Sequence, residues 1–233
     1  MLHLPAILFS KKLNLRDKVV IVSPHPDDEI LGCAGLIQKL LNNKKDVYVI
    51  MLTKGEAVWD KTLIDPQIVV ENRRELTIKA ANIVDLSMDK FLFLDWGDGK
   101  LSETENNDLR EKELFTILNK LKPDVIFTPH TLDYPTDHFF ATEIVKSTLK
   151  KYNISTNLAY YCVWLWTGSY RIFFKLNWNK ARIITMNKHE LLLKKSAIDA
   201  YIKPLTHFGK PYSGELGNLP KCCKWKRELF FEE

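Results

Sequence analysis

Lys18-Val19-Val20-Ile21-Val22-Ser23-Pro24-His25-Pro26-Asp27-Asp28-Glu29 decides how the rest of the chain is read. After Lys18, Val19-Val20-Ile21-Val22 is a short apolar, β-branched run, and residues 18–22 read as a buried strand. Two prolines then interrupt any regular hydrogen-bonded ladder. Beyond them Ile30, Cys33, Ala34, Ile37, Leu40 and Leu41 recur at the spacing of one helix face. Asp27 or Asp28 suits the N-cap of that helix, because a carboxylate can accept from the orphan amides of the first turn. Asn42-Asn43-Lys44-Lys45 closes it, and residues 46–52 read as a second strand. Strand, helix and strand of this length make a parallel pair with a right-handed crossover. His25, Asp27 and Asp28 therefore stand at the carboxyl end of a buried strand, the edge at which open α/β sheets bind ligands.

The alternation continues outward from there. Residues 66–85 read as a long helix and 91–94 as a strand. Residues 107–121 carry a helical stripe at Leu114, Ile117, Leu118 and Leu121, with Pro123 as its stop. Residues 124–128 read as a strand and 137–151 as a helix. This pattern predicts an α/β, Rossmann-like fold, with a mostly parallel central sheet and helices on both faces. Further on, 158–166 and 182–186 read as strands and 188–201 as a helix. Residues 203–221 read as a Pro- and Gly-rich loop, and 225–231 as a last strand or docking segment. Residues 1–17 read as an arm and 54–66 as a loop above the strand ends. No repeat or linker interrupts the chain, so residues 1–233 are expected to form a single domain, with a core over 18–150 and an elaboration over 151–233.

Composition narrows the class. With 45% of residues apolar and 27% charged, the chain has the makings of a packed core and is not a disordered or fibrous sequence. The net charge of +5 comes from lysines spread along the chain, with no basic stripe interleaved with aromatics, so nucleic acid is not an expected partner. No run approaches the roughly 20 apolar residues of a membrane span, so no transmembrane segment is expected. Residues 1–10 lack the charged start and cleavage site of a signal peptide. Cys33, Cys162, Cys222 and Cys223 form no C-x-x-C pair, which predicts reduced thiols in a cytoplasmic protein.

Two strand ends carry the chemistry. The first presents His25, Asp27 and Asp28; the fourth presents His130, Asp133, Asp137 and His138. If those two strands are neighbours, the groups converge at one edge of the sheet. Two histidines and an aspartate are a catalytic zinc set that leaves positions open for water and substrate. Such an ion lowers the pKa of bound water to about 7, and a carboxylate off the ion can take that proton. Adjacent Asp27 and Asp28 suit this division, since consecutive residues of a turn point different ways. Plainer readings stand beside these. Asp27, Asp28 and Asp137 are also good helix caps, and Asp137 also suits a place behind a ligand. His130 reads equally as a loop histidine bonded to backbone, and Arg73 and Arg74 as a solvated helix face. Trp96, Trp164 and Trp166 suit packing as well as a sugar platform, and Tyr134 has a plain reading beside that of a substrate contact. His3, His189 and His207 have no partner pattern.

Pro24-His25-Pro26-Asp27-Asp28-Glu29 on a strand end, with Asp137-His138 opening a helix after a later strand, resembles the LmbE/PIG-L family of zinc-dependent N-deacetylases. Arg73-Arg74-Glu75 leading to Ala80-Ala81-Asn82-Ile83 is similar to that family's R-x-E helix, and Asp98-Gly99-Lys100-Leu101 to its D-G-x-L loop. The late helix ending Ala200-Tyr201 and the closing Glu228-Leu229-Phe230 also fit. The resemblance covers most of the chain and is strongest over 18–142. It implies that His25, Asp28 and His138 bind Zn2+, with other divalent metals such as iron or cobalt also accepted by two nitrogens and an oxygen. It implies Asp27 as general base and Arg73 near the substrate acyl group or its departing carboxylate; Tyr134, by its place beside the site, is a candidate substrate contact. There is one departure. Many members carry H-P-D-H, whose first histidine is the general acid, where this chain has Pro135-Thr136-Asp137-His138. A second version of the pattern, T-x-H-x-x-D-x-x-x-D-H, fits residues 128–138 in full. It gives the acid's place to His130, with Asp133 orienting it.

The activity implied is hydrolytic removal of an N-acetyl group from a small amino-sugar-containing substrate, by a monomer or a homo-oligomer. Two alternatives remain. A degenerate family member would bind a ligand without turnover, as the missing histidine allows. A nucleotide-binding transferase would share the sheet, but the first turn lacks G-x-G-x-x-G, and Gly32 and Gly35 fall inside the helix. A magnesium phosphohydrolase fits less well, since hard magnesium prefers oxygen to imidazole.

Overall fold

A computed structural model describes residues 3–58, 65–134, 136–167, 170–205 and 219–233. The predicted arm holds α1 (His3–Phe9) and β1 (Lys11–Lys12). Next come β2 (Lys18–Ser23), α2 (Asp28–Asn42), β3 (Asp46–Thr53), α3 (Pro66–Ile83) and β4 (Phe91–Trp96). These are followed by α4 (Asn107–Leu121), β5 (Val125–Pro129), α5 (Thr136–Lys151) and β6 (Asn157–Tyr161). The last part holds β7 (Ala181–Thr185), α6 (Lys188–Leu205), α7 (Leu219–Cys223) and β8 (Arg227–Glu232).

The strands form one eight-stranded sheet in the order β1-β7-β8-β6-β5-β2-β3-β4. Every pair is parallel except those that β8 makes with β6 and β7. From β2 the chain moves outward through β3 and β4, then returns to the other side of β2 with β5 and β6. Right-handed crossovers put α2 and α3 on one face and α4 and α5 on the other. α6 packs on α2 and α3, and α4 on α5. β2 and β5 are hydrogen-bonded neighbours, with Val19 opposite Val125 and Ile21 opposite Phe127. The strand order reverses between them, which opens a crevice at their carboxyl ends.

Local sequence explains how tightly α2 sits there. Val19, Val20, Ile21 and Val22 are buried, as a parallel strand covered on both faces requires. Above them Gly32 faces the Tyr161 ring, and a Cβ on it would stand 2.5 Å from Tyr161 Cδ2. The Glu228 carboxylate accepts from the amides of Gly35, at 2.7 Å, and Leu36, at 2.9 Å. It also receives Lys194 Nζ at 2.5 Å, so one buried ion pair ties α2, α6 and β8 together.

Several elements depart from the sequence reading. The strand placed at 158–166 ends at Tyr161 and gives way to a 3-10 turn, Trp164–Thr167. The Asp133 carboxylate takes the Val163 and Leu165 amides, which removes both donors from any ladder. Residues 225–231 supply strand β8, inserted antiparallel. Residues 59–64 of the predicted loop and 206–218 of the predicted tail lie outside the described residues. Asp27 occupies the N-cap position of α2, but its side chain makes no capping bond. All four cysteines are free. Among the described residues, no helix is long and apolar enough to cross a membrane.

Candidate metal centre

The turn after β2 folds back on itself. Asp28 Oδ2 accepts from the His25 amide at 3.0 Å and lies 3.2 Å from His25 Nδ1. The same oxygen lies 3.1 Å from Nε2 of His138, which the first turn of α5 delivers from beyond β5. Asp28 therefore stands between two imidazoles carried by neighbouring strands. Asp133 Oδ2 lies 3.2 Å from His138 Nδ1, so in the neutral ring the proton belongs on Nδ1, with Nε2 facing Asp28. On the far side, His25 Nε2 lies 3.1 Å from Asp98 Oδ1 and 3.5 Å from Asp137 Oδ2. Both carboxylates are themselves held by backbone. Asp98 accepts from the Ala57 amide at 2.9 Å, and Asp137 from Gly99 at 2.8 Å.

These contacts make a demand for positive charge. Burial alone would lower both histidines. For His138, Asp28 and Asp133 outweigh it and raise the ring to about 9. For His25, Asp137, Asp28 and Asp98 outweigh it, and the ring rises well above its usual value. Burial would raise Asp28, but the two imidazoles hold it well below the carboxylate range. A divalent cation supplies the same positive charge while returning both imidazoles to neutral ligands. A second observation fits an ion. His138 Nε2 is buried and makes no hydrogen bond, although it lies 3.1 Å from Asp28 Oδ2. The ligand atoms of His25, Asp28 and His138 lie within 4.8 Å of one another. An orphaned nitrogen aimed at a carboxylate and a second imidazole is the arrangement a metal would complete.

Asp27 points elsewhere. Its backbone has φ of 133°, which side-chain-bearing residues rarely adopt. Its carbonyl accepts the first helical amides, Ile30 at 3.0 Å and Leu31 at 2.9 Å. Its carboxylate lies 3.5 Å from Arg73 Nη2. Arg73, only 1% exposed, also donates to Pro26 O at 2.6 Å, Gly55 O at 2.8 Å and Tyr201 Oη at 2.8 Å. Gly55 has φ of +74°, and a Cβ on it would stand 2.4 Å from Arg73 Nη1. Beside Asp27, burial and the Asp27 charge push Glu29 up to about 8. A cavity of about 440 Å³ opens over these groups, lined by His25, Asp27, Asp28, Arg73, Asp98 and Asp137, with Leu31 and Trp164 among its apolar walls. A larger groove, about 780 Å³, lies at the amino ends of β2, β5 and β6, and none of its lining residues belongs to a metal-ligating cluster.

The structure thus brings together His25, Asp27, Asp28, Arg73 and His138, with Asp133 behind His138. It leaves His130 and Tyr134 apart. The His130 amide extends the β5–β6 ladder to Tyr161 O, and its ring packs edge-on against Tyr160 and Phe231. Its Nδ1 accepts from the Leu132 amide at 3.0 Å. Burial, with Lys146 nearby, pushes it down to about 4. Asp133 does not orient that ring. Its amide donates to His130 O, while its carboxylate is spent on His138 and two amides. Tyr134 is 71% exposed and stands edge-on to Trp164. Pro135, at the position of the family's missing histidine, lies outside the described residues. Asp98, in the loop that matches the D-G-x-L pattern, is a partner of His25 that no local sequence signal announces. Nothing in the sequence marked Tyr201 as a partner of Arg73.

A family model described as PIG-L: GlcNAc-PI de-N-acetylase matches residues 20–149. Diacetylchitobiose deacetylase of Thermococcus kodakarensis is 32% identical over 112 residues, which are 48% of this chain and 40% of that protein. Probable N-acetyl-alpha-D-glucosaminyl L-malate deacetylase 2 of Bacillus subtilis is 29% identical over 119 residues, 49% of this chain and 52% of that one. The chain spans about half the length of these curated relatives. The solved structure of N,N'-diacetylchitobiose deacetylase from Pyrococcus horikoshii shares the fold, with a TM-score of 0.62 at 22% identity, over 87% of this chain and 75% of that one. The matched family span contains both strand ends and every side chain of the centre from His25 to His138. With more than half of its residues in that match, the chain belongs to the PIG-L family.

Proposed function

We propose that the protein is a metal-dependent N-deacetylase that hydrolyses the acetamido group of a small amino-sugar-containing substrate, with release of acetate. The observation that carries this reading is the meeting of His25, Asp28 and His138 at one carboxyl edge, with Asp27 beside them and turned into the same cavity. The two curated relatives are named as deacetylases, which supports the same bond class.

His25, Asp28 and His138 would hold the ion. Zinc fits this ligand set, as do iron and cobalt, since two nitrogens and an oxygen do not choose sharply among them. When bound, the ion polarises an acyl oxygen and makes water acidic near neutral pH. The remaining work falls to the chain. Asp27 takes a proton from the attacking water at its carboxylate. Arg73 keeps that carboxylate in the cavity, so that it does not turn back to cap α2. Asp133 holds the His138 tautomer, while Asp98 and Asp137 face the other nitrogen of His25. The leaving amine needs a proton, and His130 is packed away from the cavity. In this reading Asp27 returns the proton that it took.

A second reading, ligand binding without turnover, draws on Pro135 at the place of the family's acid. One experiment tests both. The purified protein should hold about one equivalent of metal, and His25→Ala and His138→Ala should each lose it. Acetate release should be measured across a panel of N-acetylated sugars. Asp27→Asn should keep the metal and lose about 10²–10⁴ in rate. Metal without acetate release from any sugar favours the second reading. Failure of the native chain to bind metal sinks both.

A further inference from the structure

We propose that α1 and the turn Tyr170–Lys175 form a contact surface for an anionic lipid bilayer. α1 buries only Ala6, while Leu4 is 64% exposed, Ile7 46%, Leu8 65% and Phe9 53%. Residues 4, 7 and 8 share one helix face, so the solvent side of this helix is its apolar side, the reverse of the usual arrangement. Phe9 meets Phe173, and Phe173 meets Phe174, which is 77% exposed. Leu4, Ile7, Leu8 and Phe9 are thus exposed on one short helix, and Phe9 links it through Phe173 to the exposed Phe174. Single exposed apolar residues are ordinary, but a contiguous group marks a binding surface.

Charge selects the occupant. Residues 3–16 contain no Asp or Glu, nor do 144–189 or 219–227. The lysines are spread along the chain, as its sequence indicated, but these acid-free stretches supply α1, β1, β6 and β7, and the acids of β8 beside them, Glu228 and Glu232, are paired with Lys194 and Arg182. Lys11, Lys12 and Lys175 are exposed beside it, and none of the three makes an ion pair among the described residues. An apolar face collared by lysines is the chemistry of an interfacial helix on anionic lipid. A two-fold dimer through the same face would set each copy's lysines against the other's, since such an interface repeats one patch on both sides. The helix is anchored for the task. His3 stacks on Trp225 at 4.1 Å and meets Trp166 at 5.0 Å, and Trp166 shares its 3-10 turn with Trp164 of the cavity wall.

Vesicle co-sedimentation of the full chain tests this, with phosphatidylcholine alone and with phosphatidylglycerol as about one lipid in three. Binding is expected to the anionic vesicles, to weaken with added salt, and to be about tenfold poorer on phosphatidylcholine alone. Leu8→Asp with Phe174→Asp should reduce anionic-vesicle binding about tenfold or more, as should Lys11→Glu with Lys12→Glu, each with an unchanged circular dichroism spectrum. No binding to anionic vesicles overturns the proposal, as does equal binding by the variants. Light scattering that shows a dimer dispersed by Leu8→Asp assigns the face to a second copy and overturns it too.

Discussion

Asp133 has three acceptor duties and none of them is the one its sequence neighbourhood suggests. It sits three residues from His130, yet its carboxylate reaches His138 and the amides of Val163 and Leu165. Asp133→Asn would weaken the orientation of His138, a ligand in the proposed function, while sparing the proposed donor set. Metal affinity is expected to fall about 10–100-fold, read by chelator competition. His130 carries the opposite prediction. Its folded-state value is depressed from 6.5 to about 4, so the folded ring stays neutral where the unfolded chain binds a proton. Stability is therefore fully present above about pH 6.5 and is lost as pH falls toward about 4, by up to about 3 kcal/mol. In His130→Gln that part of the acid loss disappears, which urea unfolding at neutral and acid pH would show. Acetate release in His130→Gln should stay within about threefold of the native rate. A loss near 10² would restore the ring to the acid's role.

At the scale of elements, the crevice depends on how closely helices approach strands. α2 can lie against β6 because Gly32 has no Cβ to meet the Tyr161 ring. That ring cannot swing aside freely, since Tyr161 Oη donates to Val22 O at 2.9 Å. Gly32→Ala is expected to destabilise the fold by about 1–3 kcal/mol in urea unfolding, the range for overpacking. Gly55 acts the same way between β3 and α3, where the Arg73 guanidinium lies over it. The sequence marked both helices correctly because their periodicity is local. It did not mark where the 158–166 strand stops, because that boundary belongs to an aspartate on another loop.

Across the whole molecule, Lys194 and Glu228 join α6 and β8 to the middle of α2. Lys194→Met would leave a buried carboxylate with two amides and no cation. A loss of about 3–5 kcal/mol is expected, visible as a large drop in thermal midpoint. The order of strands is the other global fact. The β-α-β alternation to residue 151 was legible because period-two and helical patterns are written in consecutive residues. So were the residue types of the candidate centre, two histidines and their aspartates at strand ends. The sequence by itself thus determined the Rossmann-like class and the inventory of groups at the carboxyl edge. Only the tertiary structure decided that β5 lies beside β2, that Asp98 and Asp137 face His25, and that His130 turns into the β6–β8 side. Those outcomes depend on which distant amides and carboxylates meet each side chain, and no short window of sequence contains both partners.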